Sequence, residues 1–352
     1  MHSLRSLVTT ALLLFPFASL AQAPSKSGAR VTFGVGGTYP RAIKLADGKT
    51  LLGAYTDTRG DNKTITTVRS TDNGASWSPI GVVDTGPSAT KDVDNPYIYE
   101  RPDGKLLCAF RNHDRSGATT FSAYRITICI SEDGGVNWKY LSTPASDPAG
   151  VTGNWEPFLQ RALDGSLQLY YSRENSATDQ DSLLRRSTDG GLSWTSAQVI
   201  SGSGIETRDG MLGVAHTPTD DSATKVAIFE TGDPALGKLF SVWTVRTEND
   251  GASWSPDRTR VYEPAGHNAG APQILRVGSR LVASFGTDED GGAWPQGAIK
   301  IMVSRDGGVT WTDKTTVNGP SSAWAGLVGL DDNSFLVLYE TGMTSYAQKY
   351  VF

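Results

Sequence analysis

The chain has 352 residues, 32 of them basic and 37 acidic, for a formal net charge of −5. The mild acidity and the absence of any Lys/Arg block exclude the clustered positive charge by which proteins bind nucleic acid. Two cysteines and four histidines without ligand spacing exclude a disulfide framework and a zinc site, so neither metal nor cofactor is expected.

The first element in the chain is a secretory signal. His2 and Arg5 precede a mostly apolar run at residues 7–20 (LVTTALLLFPFASL), and Ala21-Gln22-Ala23 is a small-x-small cleavage pattern. Residues 1–23 are therefore expected to be removed, leaving residues 24–352 as one secreted, extracellular domain, a monomer. No later run of about 18 apolar residues exists, so no membrane partner is expected. An oxidising compartment permits one disulfide between Cys108 and Cys129, and two separate buried thiols are the equal alternative.

A short strand follows at residues 31–36 (VTFGVG), and from there the chain repeats itself. The pattern Ser/Thr-x-Asp-x-Gly-x-x-Trp occurs at Ser70, Ser131, Ser187, Thr247 and Ser304, with Asn249 in place of Asp in the fourth copy. A second repeat lies between these copies. "YPRAIKLADGK", "NPYIYERPDGK" and "EPFLQRALDGS" each place a Pro seven residues before an Asp-Gly, which aligns Tyr39, Asn95 and Glu156. Weaker copies continue the series to Met211, Ala271 and Trp324. Each unit reads as short period-2 strands bounded by Gly and Asp turns, with few helix signals. Units of roughly 40–60 residues holding four strands each predict an all-β, six-bladed β-propeller of antiparallel blades. The strand at 31–36 is expected to become the outer strand of the blade formed by "YAQKYVF", closing the ring.

The Asp and Gly of the Ser-x-Asp run suit a tight turn, with Trp packed back on the blade. Five symmetric copies cannot all face one active site, so this run is read as scaffold. Chemistry is sought where the repeat is broken. Among the six aligned positions on the innermost strands, Glu156 is the only carboxylate, and Trp155 and Phe158 beside it would raise its pKa by desolvation. At the ends of the second strands Glu230 stands where other units have Thr56, Arg111, Ser172, Gly286 and Glu340. Glu174, Glu206 and Glu340 are rivals on the same logic. Arg41, Asp94, Arg111, His113, Arg173, Asp209, His267 and Asn268 are polar candidates around the mouth. Trp155, Trp294 and Trp324 are tryptophans outside the repeated turn. Aromatic faces beside carboxylates suit a sugar, because rings stack on its C–H surfaces while acids handle the glycosidic oxygen.

The repeated runs resemble the Asp-boxes (BNR repeats) of the sialidase-like superfamily of propellers. Arg41 in "YPRAIKL" resembles the first of the three arginines with which sialidases hold a carboxylate, but "GHNAGAPQIL" shows none where the third would stand. Over most of residues 24–352 the chain is more similar to the family 93 glycoside hydrolases, exo-α-1,5-L-arabinanases that release arabinobiose. That resemblance rests on "GNWEPFLQ", "RDGMLGVA" and "VAIFETGD", with Leu212 departing from the usual Pro. It implies a retaining mechanism with Glu156 as nucleophile and Glu230 as acid/base. It also implies a linear arabinan substrate, met by Tyr39, Arg41, Asp94, Asn95, Trp155, Asp209, Asn268 and Trp324. The alternatives are a sialidase, another exo-glycosidase on the same scaffold, and a propeller that binds carbohydrate without cleaving it.

Overall fold

The computed structural model of the protein describes residues 22–118, 120–148, 150, 153–218 and 223–352. Residues 1–21, which hold most of the expected signal peptide, lie outside these. The second strands, such as Leu106–Arg115 and Lys225–Asp233, carry continuous runs of buried side chains. Strands read this way when both faces of their sheet are covered, and here each sheet is covered by its neighbours.

Four sheets of four antiparallel strands follow in chain order, within residues 37–87, 91–148, 154–201 and 210–262. We call them sheets one to four. The remaining strands form one eight-stranded sheet. Within it a long strand, Thr312–Asp331, pairs with Gly297–Ser304 over its first part and with Ser334–Thr341 over its second. Where the repeat predicts two separate blades, the chain stays extended through Gly319-Pro320 and joins them. Pro320 is tolerated because it falls between the paired residues Asn318 and Ser322.

The strand Val31–Val35 pairs antiparallel with Thr344–Val351, as expected from its sequence. Apolar clusters fill the gaps between neighbouring groups of strands. Leu107, Ile128, Leu159 and Leu169 join sheets two and three, while Phe33, Leu51, Val328 and Leu336 join the eight-stranded sheet to sheet one. Cys108 and Cys129 are free, buried and directly opposite each other in sheet two.

The five Ser-x-Asp runs are the hairpins between third and fourth strands. In the third, Ser187 Oγ donates to Asp189 Oδ1 at 2.8 Å and accepts the Gly191 N–H at 2.8 Å. Asp189 Oδ1 also accepts the N–H groups of Leu192 and Ser193 at 3.0 and 2.9 Å. The Ser193 hydroxyl and these N–H groups hold the carboxyl at about 2, well below its ordinary value. In the fourth copy Asn249 makes the equivalent bonds to Thr247 and Ser253. That leaves the next residue, Asp250, to clamp sheet four to sheet three. It accepts the Leu163 N–H at 2.7 Å and pairs with Lys225, which is fully buried.

Candidate active site

Six innermost strands bend at one residue each. Tyr39, Asn95, Glu156, Met211, Ala271 and Trp324 all have positive φ, from 42° to 60°, and each sits at a break in register with the second strand. They are the six positions that the repeat aligns. A side chain in this region costs on the order of 1–3 kcal/mol and persists only where its surroundings hold it. A bulge also re-aims side chains and frees backbone groups from the ladder. Two of the freed N–H groups are taken up by the preceding sheet's second strand. Ser172 Oγ accepts from Met211 at 3.2 Å, and Glu230 Oε2 accepts from Ala271 at 2.7 Å. The second-strand positions singled out in the sequence are thus brought against the bulges of the next sheet.

Glu230 stands in the strand Lys225–Asp233, opposite Gly210, and is buried. Gly270 makes room for it. A Cβ at Gly270 would lie 2.3 Å from Glu230 Oε2 and 2.9 Å from the Trp294 ring, so only hydrogen fits there. Trp294 is in turn stacked on Phe240, centroids 5.9 Å apart. Glu156 is half-buried, with Oε2 enclosed and without a hydrogen-bond partner. Burial pushes its carboxyl up to about 8; the Arg111 charge opposes this, and the negative charges of Glu230 and Glu174 add to it. Burial also pushes Glu230 up to about 7, against the pull of the Ala271 N–H and of Arg208. The two carboxyls therefore feel each other, as do Tyr39 and both of them.

The other expected residues divide into two groups. Tyr39, Asn95, Trp155 and Trp324 lie with the bulges. Tyr39 packs on Trp324 at 5.3 Å and forms an axial floor with Met211 and Ala271. Asn95 Oδ1 is buried without a partner. Trp155 is half-buried under the Arg111 guanidinium, 5.0 Å from its ring centroid. Asp94 is held by Lys63 and Arg111 at 3.0 and 3.1 Å. Burial would raise this carboxyl, but the two cations outweigh it and keep it below its ordinary value.

The second group is turned inward. Asp209 has no exposed surface: it accepts from Ser201, Thr207, Thr231 and Arg258, so its lone pairs are spent on the protein. Asn268 likewise spends its amide on Phe240 N–H and Asp288. Both brace the segments around Glu230. Arg41 is buried and donates to the carbonyls of Pro40 and Trp324 at 2.8 and 3.2 Å.

Of the remaining candidates, His113 is fully buried against the Asn154 carbonyl, and burial pushes it down to about 3, leaving it neutral. Arg173 pairs with Asp147 at 2.9 Å, and His267 stands at the exposed rim, 3.6 Å from Asp288. Glu174 pairs with Arg208, Glu206 accepts from Thr178 at 2.9 Å, and Glu340 accepts the Met343 N–H at 2.9 Å. Arg208 and Gly270 went unnoticed in the sequence. Arg208 stands next to Asp209 in "RDGMLGVA", and that motif was its only signal. Among the described residues, no group of three or more His, Cys, Asp or Glu is arranged to hold a metal. Below the bulges the innermost strands enclose an axial cavity of about 860 Å³, which neither Glu156 nor Glu230 lines.

No protein-family model matches the chain, and no curated protein sequence matches it. Solved structures do. An α-L-arabinofuranosidase from Fusarium graminearum, in complex with an iminosugar inhibitor, is 22% identical over 93% of this chain and 98% of its own, with a TM-score of 0.72. The α-L-arabinanase of Penicillium chrysogenum complexed with arabinobiose is 20% identical over 94% and 98%, with a TM-score of 0.69. The intramolecular trans-sialidase from Ruminococcus gnavus is more distant, 12% identical over 89% and 94%, with a TM-score of 0.58. The resemblance read from the sequence is thus met in three dimensions: the chain has the β-propeller fold of the family 93 glycoside hydrolases and, more remotely, of the sialidases.

Proposed function

We propose that the protein is a secreted, exo-acting glycoside hydrolase that cleaves α-1,5-linked L-arabinan and releases arabinobiose with retention. In this reading the eight-stranded sheet counts as two blades of six, sharing the long strand Thr312–Asp331. Its change of partner near Ser322 supports that count. One observation carries the chemistry. Two carboxyls with raised pKa values, Glu156 and Glu230, are near enough for the charge of one to raise the other, with Tyr39 feeling both, and Trp294 stands beside Glu230. Glycosidases need such a pair, one group ionised and one protonated, flanking the scissile bond.

The surroundings favour an exchange of the expected roles. The Ala271 N–H stabilises Glu230 as an anion, which suits attack on the anomeric carbon. Glu156, with an enclosed, unpartnered oxygen, holds the proton that the leaving oxygen needs and then activates water. A sialidase is disfavoured, because the Arg41 guanidinium is buried against main-chain carbonyls.

The test is incubation with debranched arabinan. Wild type should yield arabinobiose whose first-formed anomer keeps the α configuration, and Glu156→Ala and Glu230→Ala should yield essentially none. With an activated aryl arabinobioside and azide, Glu156→Ala should form a glycosyl azide of retained configuration and Glu230→Ala an inverted one. The opposite outcomes would restore the roles implied by the resemblance. No product from wild type at high enzyme concentration would overturn the proposal.

A further inference from the structure

The innermost strands carry a second pattern at their far ends. Five residues past the bulges at Tyr39, Glu156, Met211 and Ala271 stand Lys44, Arg161, His216 and Arg276, roughly 16 Å further along their strands. All four line the axial cavity of about 860 Å³. Glu100 and Gly329 hold the two other equivalent positions. The Glu100 carboxylate accepts the Ala46 N–H at 2.6 Å and is not part of the lining. The chain as a whole has a net charge of −5, yet among the described residues no Asp or Glu lines this cavity. Lys44 donates to the Leu330 carbonyl at 2.5 Å, and Arg276 donates to the carbonyls of Gly278 and Thr217 at 3.0 and 3.3 Å. Their charges thus meet dipoles rather than carboxylates.

Nearer the bulges the same cavity is lined by Arg41, which is only 4% exposed. Its Nη1 donates to the Pro40 and Trp324 carbonyls, while Nη2 is enclosed without a hydrogen-bond partner. A buried cation without a counter-ion is costly, and an anion beside it would remove that cost. Gln160, also on the wall, has its Oε1 buried without a partner. The rest of the wall is largely apolar: Tyr97 and Phe158, with ring centroids 4.4 Å apart, face the cavity with Leu159, Ile274 and Val328. Apolar walls with a few polar groups, at this volume, suit a small organic molecule. An inorganic ion would leave the rings wet, and a neutral apolar molecule would leave Arg41 unpaired.

We propose that the axial cavity binds a small organic acid, a flat apolar body whose carboxylate pairs with Arg41 and whose entry is steered by Lys44, Arg161 and Arg276. The site is separate from Glu156 and Glu230, neither of which lines it, and it does not depend on the glycosidase reading. It is tested by calorimetric titration of the full chain with 2-naphthoate. Wild type should bind one equivalent with a Kd of about 1 mM or tighter. The uncharged 2-naphthalenemethanol should bind about tenfold more weakly or not at all. Arg41→Met should weaken 2-naphthoate binding by about 30-fold. Because Arg41 is buried, the exposed pair Arg161→Ala/Arg276→Ala gives an independent reading, with a loss of about fivefold. Glu230→Gln should leave Kd within twofold of wild type. No saturable binding to wild type up to about 10 mM, equal binding of the alcohol, displacement by an equal concentration of sulfate, or a wild-type Kd in the double variant would each overturn the proposal. A loss in Glu230→Gln as large as in the double variant would place the acid at the mouth and overturn it as well.

Discussion

The rim and the axis of the ring repeat in different ways. At the rim, four of the five hairpins share both side chains and hydrogen bonds, Ser to Asp and Asp to the following N–H groups, and the other keeps the bonds with Thr247 and Asn249. At the axis, six bulges share a backbone conformation, but their side chains are Tyr, Asn, Glu, Met, Ala and Trp. Where the side chain repeats with the backbone, the residue serves the fold. Where the backbone repeats and the side chain does not, the scaffold has been satisfied by geometry alone and the side chain is free for chemistry.

Substitution at both places sharpens this contrast. Glu156→Gln and Glu230→Gln should each lower kcat on linear arabinan by on the order of 10³-fold or more with the fold intact by circular dichroism. A loss of less than tenfold in either would break the contrast. Gly270→Ala comes next. Its Cβ would meet Glu230 Oε2 at 2.3 Å, so the carboxylate must move, and kcat should fall by roughly 10²-fold with KM changed little.

The pH profile of wild type tests the electrostatics of the axis. With one carboxyl at about 7 and the other at about 8, kcat/KM should be bell-shaped with its maximum between them. Below the lower value both groups are protonated, and above the higher value both are ionised. Activity should therefore fall about tenfold per pH unit beyond either limb, the two values belonging to the pair. A plateau from pH 4 to 6 would contradict the raised values. The same shifts act on stability. A carboxyl raised in the folded state stabilises the fold at low pH, and this is lost as pH rises from its ordinary value through about 8. Glu156→Gln should therefore be more stable than wild type by about 1–3 kcal/mol at pH 9 and scarcely different at pH 5. Urea titration at the two pH values decides it.

The smallest catalytic effect is expected at the rim. Asp189→Ala removes an acceptor of two N–H groups and two hydroxyls, and should cost about 1–3 kcal/mol of stability. Its kcat/KM should stay within twofold of wild type. A larger change would show that the rim reaches the site.

Much of this was legible by counting. The period of the Ser-x-Asp runs located the innermost strands, and the six aligned residues are the six with the same bulge. What counting cannot show is direction. Asp209 and Asn268 are polar residues beside the mouth in sequence, and only the folded chain turns both inward. Gly270 and Trp294 matter because ring assembly brings the eight-stranded sheet against Glu230 of sheet four, a contact with no local signature. The fusion of two expected blades has no signal in the repeat, because Gly319-Pro320 sits at an unpaired point of a continuous strand.

The pairing of Val31–Val35 with Thr344–Val351 sets the order in which the ring is completed. During synthesis Val31–Val35 emerges long before its partner, with four complete sheets made in between. Until then the sheet that packs on sheet one through Phe33, Val328 and Leu336 is incomplete, and the aromatic floor lacks a settled Trp324 against Tyr39. Contacts this distant in sequence form late and slowly. Until Thr344–Val351 is released from the ribosome, the sheet that backs Trp324 is unfinished and the axis is not yet built.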